Sequence, residues 1–82
     1  MSDNTKYKYY LYDLGFLIKE RALKAIKRRS HTPKNSKDNL YQSGRIMAFG
    51  EVISIMQQQA EGFGISLKDL RLEDIDPDKD LV

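Results

Sequence analysis

Residues 40–62 read LYQSGRIMAFGEVISIMQQQAEG, and this stretch decides the fold. Placed at 100° per residue, Ile46, Phe49, Ile53, Met56, Ala60 and Phe63 share one stripe of a helix. Tyr41, Ala48, Val52 and Ile55 form a second stripe beside it, and only Ser43, Gly50, Ser54, Gln57 and Glu61 mark a polar or small side. A helix with so broad an apolar surface is normally sandwiched between partners. The chain has 82 residues, and a domain of that size leaves much of its surface exposed unless a disulfide, a metal or another chain helps to cover it. With no cysteine and a single histidine, disulfides and the usual structural zinc sets are excluded. Another copy of the chain is the expected source of cover.

The preceding segment repeats the pattern. Tyr7, Leu11, Leu14, Ile18 and Ala25 lie on one stripe with Tyr10 and Leu17 alongside, while Tyr9, Tyr12, Phe16, Leu23 and Ile26 lie on another. The spacing predicts a first helix that ends near Ser30, with Asn4 or Thr5 available to cap it. Pro33 disfavours helical geometry at Thr32, and Pro33, Asn35 and Ser36 are turn formers. Asp38 is the expected N-cap of the second helix, and Gly62 with Gly64 supplies its C-terminal stop. Gly15, inside the first helix, costs about 1 kcal/mol relative to alanine, which close packing there would offset.

Two helices of similar length joined by a short turn fold back most simply as an antiparallel hairpin. The expected register sets Leu23 near Arg45 and Leu17 near Glu51. After the hairpin, Ser66 and Asp69 have capping-box-like spacing, and Leu67, Leu70 and Leu72 form a short helical turn against it. The expected fold class is all-α: two long antiparallel helices and a short C-terminal helical turn, assembled into a four-helix bundle-like oligomer. Residues 1–4 are a frayed start, 5–72 one helical-hairpin domain, and 73–82 an acidic tail left free or weakly docked.

The net charge of +2 conceals a segregation. From Lys19 to Lys37, Lys19, Arg21, Lys24, Lys27, Arg28, Arg29, Lys34 and Lys37 face only Glu20. From Ser66 onward, Asp69, Glu73, Asp74, Asp76, Asp78 and Asp80 outnumber Lys68, Arg71 and Lys79. Cations at Lys24, Lys27, Arg28, Arg29, Lys34 and Lys37 suit phosphates or an acidic partner, so a small nucleic-acid-binding protein is the alternative reading. Aromatics do not interleave this cluster, and no recognition-helix pattern follows it.

Other chemistry finds little support. Asp74, Asp76 and Asp78 match the opening spacing of a calcium loop, but Lys79 stands where that loop needs glycine and the closing glutamate is missing. His31 is isolated in a polar turn. Glu51 interrupts the apolar run and is expected to form a buried ion pair with Lys19 that specifies register. No catalytic triad, phosphate-binding glycine loop or Glu-x-x-His pair is present, so neither an enzyme nor a cofactor or metal is expected. The longest helical apolar stretch, Ile46 to Met56, falls well short of the roughly 20 residues that span a bilayer. No membrane association is expected, and the cytoplasm is the expected location.

These readings converge on a non-enzymatic protein-interaction module: an adaptor, regulator or structural subunit acting as a homodimer or tetramer, with a further protein partner allowed. Tyr12, Phe16, Leu23, Phe49, Ile53 and Met56 are the expected oligomer interface. The tyrosine cluster Tyr7, Tyr9, Tyr10 and Tyr12 points in several directions around the helix and fits an interface or the end of a bundle.

Overall fold

The structure, a computed structural model, describes residues 3–82. Helix α1 spans Asp3–Ser30 and α2 spans Lys37–Gly62, followed by a 3-10 turn at Leu67–Leu70 and a one-turn helix α3 at Pro77–Asp80. No strand occurs among the described residues. Asp3 and Asn4 already lie in α1, as does Thr5, so neither Asn4 nor Thr5 caps it; Met1 and Ser2, the rest of the expected frayed start, lie outside the described residues.

Local chemistry explains each boundary. Lys27, Arg28 and Arg29 occupy the last turn of α1, where the helix dipole favours cations. Ser30 and Thr32 hydroxyls donate to the Lys27 and Arg29 carbonyls at 2.6 and 2.7 Å, satisfying acceptors that the helix leaves open. The cap of α2 is Ser36, not Asp38: its hydroxyl accepts from the Asn39 amide at 3.1 Å while donating to the Pro33 carbonyl at 2.7 Å. Asp38 instead contributes its charge to the first turn. At the other end, Gly64 takes φ +68°, and the Ile65 and Gly64 amides return to the Ala60 and Glu61 carbonyls, a Schellman closure.

The helices pack antiparallel. Arg29 faces Ser43, Asn39 reaches Thr32 at 3.2 Å, and Ile18 shares a groove with Val52 and Ile55. This register differs by about one helical turn from the pairing of Leu23 with Arg45 and Leu17 with Glu51. Both helices carry two apolar stripes, so sequence spacing accommodates either alignment. Small residues decide the close approach: Ala22 and Ala25 of α1 are fully buried with Ile46 and Ile53 of α2.

The largest departure from expectation is the tail. Leu72, Ile75 and Leu81 are buried and belong to the same core as Ile46 and Ile53, so the packed domain runs on through the acidic segment. The segment lies along the side of α2 that reads as polar or small. Gln57 donates to the carbonyls of both Leu72 and Ile75, at 3.0 and 2.9 Å, and Gly50 faces Leu81. On α1, Gly15 is buried against the Leu70 backbone, where any Cβ would overlap the Leu70 carbonyl oxygen. Helix α1 runs unbroken through that glycine, and the backbone that approaches it is that of the 3-10 turn. Arg71 then adopts left-handed φ of 56°, which costs roughly 1–2 kcal/mol outside glycine. Its guanidinium stacks over Phe16 and Tyr12, with ring-centroid distances of 4.3 and 4.9 Å.

Candidate functional site

With one face of the hairpin occupied by the C-terminal segment, the other stands open. Leu11, Leu14 and Ile18 from α1, Val52, Ile55, Met56 and Ala60 from α2 and Phe63 just past its end line a groove of about 410 Å³, to which Ile65 and Leu70 also contribute. Gln59 contributes its polar side chain at the rim. The helical period carries the surface onward from the groove. On α2, Tyr41 and Ala48 continue the row of Val52 and Ile55; on α1, Tyr10 and Leu17 flank Leu14. Exposure is substantial: 66% at Tyr41, 42% at Val52, 55% at Ile55 and 76% at Phe63. Contiguous apolar surface of this kind marks an interaction site more often than an ordinary face.

The expected interface residues do not form one surface. Ile53 is fully buried inside the single chain, and Phe49 and Met56 are half-buried against the core. Tyr12 and Phe16 lie on the side of α1 covered by Arg71, and Leu23 is exposed. Of the six, only Met56 lines the groove. The residues that sequence reasoning missed as a site, chiefly Leu11, Leu14, Ile18, Val52, Ile55 and Phe63, all belong to stripes visible in the sequence. What was missing was the knowledge that the C-terminal segment fills the opposite side.

The charged candidates fare differently. Lys19 does not meet Glu51: it forms an ion pair with Asp74 at 2.8 Å, linking α1 to the C-terminal segment. That hydrogen bond, with the lysine charge behind it, holds the Asp74 carboxyl below the ordinary aspartate range. Glu51 is exposed, in a shallow surface depression with Leu81 and Val82. Lys24, Lys27, Arg28, Lys34 and Lys37 remain exposed near the hairpin turn, whereas Arg29 is half-buried and donates to the Val82 backbone oxygen at 2.8 Å. His31 is exposed in the turn.

The acidic run has structural employment. Asp76 accepts from the Asp78 amide at 3.0 Å as the N-cap of α3, and Asp80 accepts from the Asp76 amide at 2.8 Å. No group of three or more His, Cys, Asp or Glu side chains placed to hold a metal occurs among the described residues. Within the same residues, no helix is long and apolar enough to cross a membrane. No protein-family model, curated protein or solved structure matches the chain. The open apolar face is therefore the candidate site, and its chemistry is that of burial.

Proposed function

We propose that this protein is a cytoplasmic, non-enzymatic interaction module that acts as a homo-oligomer, an adaptor, regulator or structural subunit that covers its open face with another chain. The observation that carries this reading is the groove of Leu11, Leu14, Ile18, Val52, Ile55 and Phe63, the last three exposed, left open although the chain's own C-terminal segment closes the opposite face. At about 25 cal/mol per Å², covering several hundred Å² of apolar surface per chain gives on the order of ten kcal/mol. That is enough to set against the roughly 4–15 kcal/mol that association costs in lost freedom. Two hairpins meeting on these faces make a four-helix arrangement.

Ile55→Asp tests the proposal directly. Its side chain is 55% exposed, so the variant keeps its helical circular dichroism while its mass in solution falls to that of one chain. An unchanged assembly would remove the open face from the account.

The basic turn supports a second reading, a nucleic-acid contact, because Lys24, Lys27, Arg28, Lys34 and Lys37 are exposed near one another. Arg29 already serves the fold, which removes one cation from that surface. Affinity for mixed-sequence duplex or single strands that falls steeply with salt and is lost on replacing Lys27 and Arg28 with serine would favour this reading; no binding at low salt would dismiss it.

A further inference from the structure

We propose that the occupant of the open face is a second copy docked antiparallel about a two-fold axis near Val52, with α2 lying on α2 and α1 on α1. This deepens the self-association reading and rests on it. The argument begins with how charge is distributed along the face. At 100° per residue, the α1 row that borders the groove carries Tyr10 and Leu17 toward the open end of the hairpin and Arg21 and Arg28 toward its turn. The α2 row carries Phe63 and Gln59 toward the open end, then Val52, then Arg45 and Tyr41 toward the turn. Apart from Asp3 and Asp38 in the first turns of the two helices, the charged residues on these rows are cations.

A second copy running in the same direction can face this one only with α1 laid on α2, and because Arg29 stands opposite Ser43, that brings Arg28 beside Arg45 of the other copy. Like charges placed so are destabilising, and they weigh against that orientation. The antiparallel copy separates them. About Val52, Arg45 meets the Gln59 amide, which can accept its hydrogen bonds, and Tyr41 meets Phe63. Arg29 opposite Ser43 and Asn39 against Thr32 set the level of Val52 on α1 near Lys19. About that level Arg28 meets the Tyr10 ring and Arg21 lies along Leu17. Guanidinium over ring is a contact that this chain already makes three times, at Arg45 over Phe49 and Arg71 over Tyr12 and Phe16. Of the two directions in which a second copy can face this one, the antiparallel one pairs complementary groups.

Area agrees with the same occupant. Covering Tyr10, Leu17, Tyr41, Val52, Ile55 and Phe63, each between 42% and 76% exposed, buries aromatic and aliphatic surface along both helices. Its three aromatic rings alone, at about 150–250 Å² each when fully buried, supply on the order of 300–500 Å² per chain toward the ~800 Å² per partner of a standard specific interface.

The native chain has no cysteine, so single thiols report position without interference. Val52→Cys, Tyr41→Cys and Phe63→Cys are each treated with a short bis-maleimide after circular dichroism has confirmed their helicity. Val52→Cys is expected to convert mostly to covalent dimer, because a residue beside the axis meets itself. Tyr41→Cys alone stays monomeric, and a mixture of Tyr41→Cys with Phe63→Cys gives the covalent dimer. Self-linking of Tyr41→Cys as efficient as that of Val52→Cys, with no added product from the Tyr41→Cys and Phe63→Cys mixture, overturns the antiparallel arrangement and leaves self-association standing. No linkage in any combination, together with a one-chain mass in sedimentation, overturns both, and would point to a different protein as the occupant.

Discussion

On one face of the hairpin the C-terminal segment lays Leu72, Ile75 and Leu81 into the core, while on the other Val52, Ile55 and Phe63 stand against solvent. The two faces differ in what they offer an incoming chain. The closed face carries glycines at positions 15 and 50 and an amide at Gln57, so irregular backbone can approach closely and find donors for its carbonyls. The open face presents branched and aromatic side chains at helical spacing, with Gln59 the polar group in the groove. Such a surface has few hooks for irregular backbone and suits the side chains of another helix. Polar and small positions therefore mark where this chain folds onto itself, and the apolar stripe marks what it leaves for another.

The sharpest way to break that comparison uses one substitution at two positions two residues apart. Ile53 is fully buried and Ile55 is not. Ile53→Asp places a carboxylate in the core, at a cost of several kcal/mol against a domain stability of about 5–15 kcal/mol, and is expected to abolish cooperative thermal unfolding. Ile55→Asp retains it. Equal helicity in the two variants would show that the faces had been wrongly distinguished.

Glycine substitutions separate the closed face from ordinary helix surface. Gly15→Ala drives a methyl group into the Leu70 carbonyl and should destabilise by about 1–3 kcal/mol in urea unfolding. Gly50→Ala meets Leu81 at an ordinary contact distance of 3.4 Å. There the gain in helix propensity, up to about 1 kcal/mol, should prevail. A reversal of order would mean that the C-terminal segment docks elsewhere.

Gln57→Ala removes two hydrogen bonds and leaves the Leu72 and Ile75 carbonyls without that donor. A loss of about 1–3 kcal/mol is expected, with hydrogen exchange rising in residues 72–81 before the helices. Uniform acceleration along the whole chain would contradict a segment held locally by that amide.

The smallest effect belongs to the Lys19–Asp74 pair, which is largely exposed on the aspartate side. Because Lys19 lowers the folded-state pKa of Asp74, the pair's contribution is present above the ordinary aspartate value and is lost as pH falls through the folded one. The stability difference between the native chain and Asp74→Asn should hold steady near neutrality and shrink below about pH 4. A difference that grows on acidification would give the interaction the wrong sign.

The helices were legible because 3.6-residue periodicity, Pro33 and the Gly62–Gly64 stop are local signals. The docking of the C-terminal segment was not. Leu72, Ile75 and Leu81 follow no regular period and sit among carboxylates, so the stretch reads as a solvated tail. Gln57, which holds it, looks from the sequence like one more exposed polar residue. The site suffered from the same gap: with both stripes of α2 apolar, nothing local says that Ile53 is enclosed by its own chain while Val52 is not. Glu51 looked anomalous only while the side of the helix beside Leu81 and Val82 was unknown.

Sedimentation equilibrium of the unmodified chain, from low to high micromolar concentration at moderate salt, tests most directly whether the open face is a self-association surface. A reversible rise from one-chain to two-chain mass, or a dimer throughout, is the predicted result. A folded monomer over the whole range would contradict it.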